Sequence, residues 1–508
     1  MKGSKLIIKN TGILYVKTFI TMGIALYSTR VILNTLGAVD YGLFSLIAGV
    51  IAMLTFLNNS LSSSTQRFLE FNLGAGQQKK LSEVFNASVF LHLLVGLIVV
   101  LLVEGVGYIA FEKILIIPVD RMYAARAIFH FMVISTFFTI ISVPYDAIIN
   151  AHEHMLFDSI VGIIQSFGIL FIAIFIQQVN TDKLIWYGLL MASLIFVLLI
   201  IRRIYCRVLY AESKINFKTH LNRATIKEML TYASWTFFGA ITSMFGAYGM
   251  IIVLNSFFGA KVNAAYGIAA QLNGQINVFS ATMMKALNPQ IVKSEGSGER
   301  NRMIKIAMTG SKMSFFLLAF FAIPFILEAP YVLKLWLINP PEYTIVFSRL
   351  VLIVAMFSQL SMPIGKIVNA VGNIKHIEVY SSIIYIMVLL VAILLFNLGF
   401  PPFYVYFIQI LSEILLLVIR TRFANKMADM KIQDFIDLVL KPVLIVTLSA
   451  LIITFCIQFF MNESFLRLLI TISISSAVFL ISLNFWGLAL EEKQYINDVF
   501  CKIKKKVY

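Results

Sequence analysis

The sequence contains few charged residues for its length. Asp, Glu, Lys and Arg make up 13% of its 508 residues and hydrophobic residues 60%, whereas soluble domains carry roughly a quarter charged residues. Mean hydropathy is +0.89. A soluble chain of this size could not bury so much apolar surface. The composition therefore excludes a soluble enzyme or binding domain and predicts a polytopic membrane protein.

Cysteine and acidic residues are also scarce. The three cysteines, Cys206, Cys456 and Cys501, are scattered, which argues against a disulfide framework or a cysteine metal site. Net charge is +16, but the cations lie between apolar runs, as topology determinants do, so we expect no nucleic-acid partner. No glycine-rich phosphate loop followed by Lys and Ser or Thr occurs, which argues against direct ATP hydrolysis.

Long apolar runs dominate what remains. Fourteen of them are predicted to span a bilayer core of about 30 Å as helices. Of the 41 Lys and Arg residues, about 30 fall in the two chain ends and in the loops after even-numbered spans, which predicts that both termini are cytoplasmic. The loop from Arg202 to Lys227 and the basic tail from Lys502 to Lys506 are the clearest cases.

The chain also contains an internal duplication. The segment 142–151 recurs at 361–370, an offset of 219 residues, and the segment 31–42 recurs at 252–267. Two matched blocks in the same order predict two repeats of six spans, and an even number of spans gives both repeats the same orientation. Further matches are Gln66 with Gln290, and Gly74 and Gly76 with Gly296 and Gly298.

The predicted fold is therefore an all-α polytopic membrane protein with about fourteen transmembrane helices. Two parallel six-helix repeats form a two-lobed cleft, and two C-terminal helices follow. The predicted domains are an N-lobe over residues 1–210, a C-lobe over 211–428, and spans 13 and 14 with the basic cytoplasmic tail over 429–508.

The segments TRVILNTLGAVDYGLFSLIAG (29–49) and SSSTQRFLEFNLGAGQ (62–77) resemble the opening of bacterial Wzx-type polysaccharide flippases. These belong to the multidrug/oligosaccharidyl-lipid/polysaccharide exporter superfamily, and the resemblance covers essentially the whole chain. It implies a transporter and not an enzyme, without catalytic residues. It implies flipping of an isoprenoid-diphosphate-linked oligosaccharide to the outer leaflet of the bacterial cytoplasmic membrane. The implied partners are this oligosaccharide, membrane lipids and polysaccharide polymerase or export machinery.

An anionic diphosphate head group needs a wet cavity with cations and polar side chains. Lys17 and Arg30 in the first span and Lys312 in the ninth are the candidate cations, and the alternative for each is a side chain that reaches the membrane surface. Gln271 and Gln275 of the eighth span share one helix face. They are candidate sugar ligands, and the alternative for them is tight helix packing.

Acidic residues within the spans are candidate sites for coupling to Na⁺ or H⁺. Asp146 lies two residues after Pro144, where a helix break could expose backbone groups; the alternative is a salt bridge. Glu413 in the twelfth span is the second candidate. Pro144 and its repeat counterpart Pro363 are candidate hinges.

No cofactor or metal is expected. His152 and His154 flank Glu153, but this spacing is not the i, i+4 spacing with which two histidines on one helix face bind a metal. The triplet therefore predicts a solvated loop.

Three alternative functions remain open at this point. A lipid II flippase would share the fourteen spans and the cationic cavity. A MATE-type multidrug exporter would share the fold but favours cationic cargo, often with an acid in the first span. A membrane polysaccharide polymerase or ligase, from a different class, would need catalytic groups on a large outer loop. The longest predicted outer loop, about Glu328 to Tyr343, offers few such groups.

Overall fold

The computed structural model describes residues 2–52, 56–113, 117–337, 339–490 and 492–493, and these residues form helices and short connections without a strand. The predicted basic tail at Lys502 to Lys506 lies outside the described residues. The helices are α1 (Lys2–Ala52), α2 (Phe56–Gly74), α3 (Gln78–Lys113), α4 (Met122–Ala151), α5 (Met155–Phe175), α6 (Lys183–Leu209), α7 (Phe217–His220), α8 (Arg223–Gly296), α9 (Arg300–Leu337), α10 (Thr344–Val371), α11 (Lys375–Asn397), α12 (Tyr404–Ala428), α13 (Ile432–Phe435), α14 (Lys441–Phe455), α15 (Ile457–Phe460) and α16 (Phe465–Ser482).

Twelve helical segments of the described chain are long and apolar enough to cross a membrane. One of them, α8, has 74 residues and would be about 110 Å long if straight, more than twice the thickness of a bilayer core. It contains the predicted spans seven and eight. These helices confirm the all-α polytopic fold and are consistent with the predicted fourteen spans, of which the second, at 41–61, includes residues outside the described part.

A glycine breaks the first long helix of each predicted repeat. Gly37 in α1 has φ 79° and ψ 168°, and Gly259 in α8 has φ 76° and ψ −175°. This backbone region is open essentially only to glycine. Both glycines follow a Leu-Asn pair by three or four residues, so the same sequence signal produces the same break in both copies, as a duplication predicts.

The helices that follow these breaks end in the same way. Gly76 and Gly298 are both left-handed, with φ 66° and 76°. The amide of Gln77 donates to the carbonyl of Asn72 at 3.1 Å, and the amide of Glu299 donates to that of Ser294 at 2.8 Å. These are the six-to-one hydrogen bonds of a Schellman cap, which satisfies carbonyls that a helix end leaves free.

The chain forms two compact units. Unit 1 consists of Met1–Ile241 with Asn288–Glu299, and unit 2 of Thr242–Leu287 with Arg300–Tyr508. Within unit 1, α4 packs on α3 and α6, and α1 packs on α5; within unit 2, α10 lies against α9 and α12, and α16 packs on α9 and α14. The predicted lobe boundaries at residues 210 and 428 remain predictions.

In unit 1 the two capped helix ends cross at their glycines. A Cβ at Gly74 would overlap the backbone of Lys293, and a Cβ at Gly296 would overlap the carbonyl of Phe71. The two contacts are reciprocal, because Gly296 and Lys293 follow Gly74 and Phe71 at the same offset. The crossing is thus a pseudo-symmetric contact between equivalent positions of the two predicted repeats, with glycine allowing the close approach of the backbones.

Alanine at either glycine is expected to destabilise the protein to a similar extent. Each substitution forces a methyl group into backbone, and overpacking of this kind costs about 1–3 kcal/mol. Thermal unfolding of the purified Gly74→Ala and Gly296→Ala variants measures the cost. Gly267→Ala is the control, since a Cβ there meets nothing within 4 Å. A loss confined to one of the two crossing variants would contradict the symmetric contact.

Candidate functional site

One face of α1 in unit 1 is polar and exposed. Tyr27, Arg30 and Asn34 follow one another at helical spacing and are all exposed, with the Tyr27 side chain at 57%. Arg30 makes no ion pair with any residue that the structure describes. A guanidinium without a counter-ion inside an apolar span is unfavourable against lipid. Its position suits an aqueous surface or an anionic ligand.

A second polar face lies on α8 in unit 2. Gln271 and Gln275 are exposed, and Gly267 and Gly274 lie on the same face, where a Cβ on either glycine would meet nothing within 4 Å. This face therefore has open space around it and exposes amide groups near the middle of the predicted eighth span. Primary amides offer both donors and acceptors, which matches the hydroxyl groups of sugars.

The other amides of this span have a structural role. The Asn277 side chain donates to Asn273 at 2.8 Å, and Gln359 of α10 donates to Asn277 at 3.1 Å. These bonds tie α8 to α10 within unit 2. The four amides that the sequence places together thus divide into a packed pair and an exposed pair, Gln271 and Gln275.

Lys17 has a partner that the sequence did not indicate. Its ammonium lies 2.9 Å from the carboxylate of Asp158 on α5, and its side chain is 22% exposed. Gly162, one turn further along α5, leaves room for the lysine side chain, which a Cβ there would overlap. The ion pair holds α1 against α5 and compensates the charge of Lys17, whose role as a cavity ligand stays a prediction.

Lys312 is similarly neutralised. Its side chain is 5% exposed and its ammonium lies 2.7 Å from the carboxylate of Glu492, beyond α16. This pair joins α9 to the segment after the last span within unit 2. Lys312 is therefore buried with its charge compensated by Glu492, and its role as a cavity ligand stays a prediction.

Asp146 forms a salt bridge, one of the two alternatives that the sequence left open. Its carboxylate lies 2.5 Å from Arg202 of α6 and accepts a hydrogen bond from Ser142 at 3.3 Å. Pro144 and Pro363 lie inside α4 and α10, which both continue past the proline. Ion coupling at Asp146 and hinge roles for the prolines remain predictions.

Glu413 differs from Asp146 because one of its carboxylate oxygens has no partner in the part of the chain that the structure describes. Its Oε2 atom is buried and makes no hydrogen bond with the described residues, while Ser358 of α10 donates to the carboxylate. Glu413 lies near the middle of α12. The described residues contain no group of three or more His, Cys, Asp and Glu side chains that could hold a metal ion.

The prediction of a solvated loop at His152–His154 is wrong for its central residue. Glu153 is 6% exposed, has a left-handed backbone with φ 60°, and accepts hydrogen bonds from Gln290 and Lys293, each at 2.5 Å. The tight turn after α4 directs the carboxylate into the protein, where two donors compensate its burial. This contact holds the end of α8 to the end of α4 within unit 1.

The flanking histidines join a second polar cluster. His152 lies 2.7 Å from the carboxylate of Glu212, which also accepts from Gln78 at 3.1 Å, and His154 hydrogen-bonds the hydroxyl of Tyr210 at 2.7 Å. Glu212 is 4% exposed. The segment after α6 is therefore fixed to the end of α4.

Acidification is expected to weaken this cluster. Burial and the charges of His152 and Lys293 lower the pKa of His154 from its usual 6.5. Burial opposes ionisation of the Glu212 carboxyl. The hydrogen bonds that this carboxyl accepts, above all the one from His152, outweigh the effect of burial and lower its pKa. A group whose pKa is lower in the folded than in the unfolded state stabilises the fold at any pH above its unfolded-state pKa. This stabilisation is lost as the pH falls towards the folded-state pKa.

The thermal midpoint should therefore fall as the pH drops below 6.5, and His154→Gln should make this fall shallower. Thermal unfolding over a pH series measures both slopes. His376→Gln, at an exposed position, serves as the control and should leave the slope unchanged. Equal slopes for wild type and His154→Gln would contradict the assignment.

The fold is that of the MATE and related MOP-superfamily membrane transporters. A crystal structure of a MATE point mutant superposes with a TM-score of 0.72 at 13% identity, covering 85% of this chain and 100% of that one. An outward-facing multidrug resistance MATE transporter gives 0.69 at 13% identity, with coverage of 84% and 98%. A MOP-superfamily transporter from Pyrococcus furiosus, described as having a binding pocket of reverse polarity, gives 0.66 at 14%, with coverage of 84% and 98%.

The chain belongs to the polysaccharide biosynthesis protein family, whose sequence model matches residues 7–295, more than half of its length. This confirms the resemblance to the Wzx-type flippases and identifies a multi-pass membrane protein of the transporter class. No curated protein sequence matches the chain.

Proposed function

We propose that this protein flips an isoprenoid-diphosphate-linked oligosaccharide from the inner to the outer leaflet of the bacterial cytoplasmic membrane, by alternating access. The observation that carries the proposal is an exposed Arg30, without an ion-pair partner among the residues that the structure describes, in a chain of the polysaccharide biosynthesis protein family. A guanidinium can bind a diphosphate through two parallel charge-assisted hydrogen bonds. Gln271 and Gln275 would bind sugar hydroxyls. Both termini are proposed to be cytoplasmic.

The charge on α1 favours an anionic cargo over a cationic drug. The only acidic residue of α1 is Asp40, and Arg121 of the connection before α4 binds its carboxylate at 2.8 Å. A cationic drug would therefore find no free carboxylate on this helix, whereas a diphosphate would find the guanidinium of Arg30, which has no acidic partner in the described part of the chain. This difference supports a flippase for a lipid-linked sugar over a multidrug exporter.

A membrane polymerase or ligase would need catalytic groups on the predicted outer loop. Glu328, the first acidic residue of that loop, does not provide one. Glu328 is fully buried and bound by Arg467 of α16 at 2.9 Å, so it has no access to a substrate. Lipid II remains the nearest alternative cargo, because it shares the diphosphate and a glycan head.

Depletion of the protein from its host cell tests the function. Isoprenoid-diphosphate-linked oligosaccharide should accumulate in the inner leaflet, where an impermeant sugar-modifying enzyme added outside cannot reach it, and the sugar composition identifies the cargo. Re-expression should restore outer-leaflet labelling. Accumulation of lipid II alone would replace the proposed cargo with that alternative, and unchanged leaflet distribution of all such lipids would contradict a flippase.

A further inference from the structure

A chain of polar side chains runs through unit 2 from one end of its helices to their middle. Glu378 lies three residues after the start of α11, close to the charges of Lys366 on α10 and Arg420 on α12. Arg420 donates to the hydroxyl of Ser361 at 2.6 Å and to that of Tyr385. Charged and polar groups embedded in this way are expensive in a membrane and by default indicate a function.

Glu413 is the innermost member of this chain. It lies nine residues, or about 14 Å, from the first residue of α12, and Tyr385 and Arg420 are its charged or titratable neighbours. The part of α8 that packs here contributes Thr242, which hydrogen-bonds Ser382 of α11 at 2.8 Å, and Gly246, which lies against Tyr385. No charged side chain of α8 between these two residues faces the site.

The packing around Arg420 is built for that side chain. A Cβ at Gly365 of α10 would come within 3.2 Å of the arginine side chain, so the glycine leaves the space that the guanidinium needs to pass between α10 and α12. Arg420 can then contact Ser361 on one helix and Tyr385 on another. These contacts place a fixed positive charge between Glu378 and Glu413.

The carboxylate of Glu413 is incompletely satisfied in this arrangement. Ser358 donates to it, but its buried Oε2 atom has no donor among the described residues. A buried ion without a full set of hydrogen bonds carries a desolvation penalty of several kcal/mol, and neutralisation by a proton is the usual way to remove it.

The donor set distinguishes a proton from a metal cation. Hard cations bind within shells of about six or more oxygen ligands, whereas among the described residues Glu413 offers its own two oxygens and the hydroxyl of Ser358. One proton on Oε2 needs no ligand shell and cancels the buried charge.

We infer that Glu413 is a proton-binding site of unit 2, with Glu378, Arg420 and Tyr385 lying between it and the α10–α11 end of the unit. Binding adds one proton from water to Oε2 and neutralises the carboxylate; release returns that proton to water, and no other bond changes. The Arg420 guanidinium stays charged throughout and carries no proton itself. A role of this proton in transport rests on the proposed function, whereas proton binding at Glu413 is independent of it.

Infrared titration of the purified full-length protein in lipid tests the site directly, because a protonated carboxyl has a carbonyl band that a carboxylate lacks. We expect a pH-dependent carboxyl band that is lost in Glu413→Gln and shifted in frequency in Glu413→Asp. Glu342→Gln, at an exposed loop position, is the matched control and should keep the band. The aspartate variant keeps the test valid if the glutamine variant fails to fold.

Three results would overturn the inference: no pH-dependent carboxyl band, a band unchanged in Glu413→Gln, or a band lost only in Glu378→Gln. The readout involves no lipid-linked sugar, so it separates this site from the proposed cargo. A protein that flips the sugar normally but lacks the band would contradict the proton site alone. A protein that shows the band but flips no sugar would contradict the proposed function alone.

Discussion

Arg30→Glu is expected to abolish export of the polysaccharide while leaving the amount of folded protein unchanged. The guanidinium is exposed and unpaired within the described chain, so its removal breaks no structural contact. A hydrogen bond to a charged group contributes about 1.5–3 kcal/mol, so Arg30→Gln should slow flipping roughly ten- to hundredfold. Reversal of the charge adds repulsion of the diphosphate and should reduce the rate further.

The matched control for this prediction is Arg126→Glu. Arg126 is also an arginine near the end of a predicted span, and its side chain is 54% exposed with Glu112 at 3.7 Å. Surface polysaccharide and the level of membrane-inserted protein should both stay normal in this control. A normal amount of surface polysaccharide in Arg30→Glu would contradict the binding of an anionic ligand by Arg30. Loss of export in both variants would indicate a general effect of charge in the spans.

Glu328→Leu is expected to destabilise the protein by about 3–5 kcal/mol, because it leaves a buried charge without its partner. Glu328 is fully buried; it accepts from Arg467 at 2.9 Å and from Thr471 at 2.9 Å. The side chain of Arg467 is 8% exposed. These contacts fasten α16 to α9, so the variant should release the last spans from the rest of unit 2.

The double variant Glu328→Leu with Arg467→Met separates the charge from the packing. Replacing both members of a buried ion pair by apolar residues is often neutral or stabilising, so the double variant should recover most of the lost thermal stability. Glu463→Gln is the control, since Glu463 lies 4.0 Å from the same arginine but is 52% exposed. A double variant less stable than Glu328→Leu alone would contradict this assignment.

The matching helix breaks and helix caps of the two predicted repeats follow from signals that are local in the sequence. The glycines at 37 and 259 follow the same Leu-Asn pair, and the backbone at both has the same geometry that only glycine tolerates. The pairs Gly74/Gly76 and Gly296/Gly298 likewise mark identical helix caps. Such a local pattern can be recognised in the sequence without knowing which distant residues it contacts.

The roles of the embedded charges were less predictable because their partners are distant. Lys17 pairs with a residue 141 positions away, and Lys312 with one 180 positions away. Glu153 likewise binds Gln290 across 137 positions. A single sequence shows the cost of burying such a charge but not which opposite charge compensates it. The sequence did offer one signal, since a cation embedded in a span requires an acidic partner. Asp158, at the start of the predicted fifth span, was a candidate partner for Lys17.

The structure therefore narrows the candidate ligands. Of the three cations that the sequence suggested, Arg30 alone lacks an acidic partner within the described chain, and Gln271 and Gln275 remain exposed. The proposed diphosphate ligand thus rests on the single guanidinium of Arg30 in unit 1.

Reconstitution of the purified protein into liposomes tests the central claim most directly. An isoprenoid-diphosphate-linked oligosaccharide carrying a fluorescent sugar is incorporated in both leaflets, and a membrane-impermeant quencher then measures how much of it reaches the outer leaflet over time. We expect rapid, complete quenching with the wild-type protein, slow quenching with Arg30→Gln, and with Arg30→Glu no quenching beyond that of protein-free liposomes. Quenching equal to that of protein-free liposomes with the wild type, across lipid-linked sugars of different composition, would contradict it.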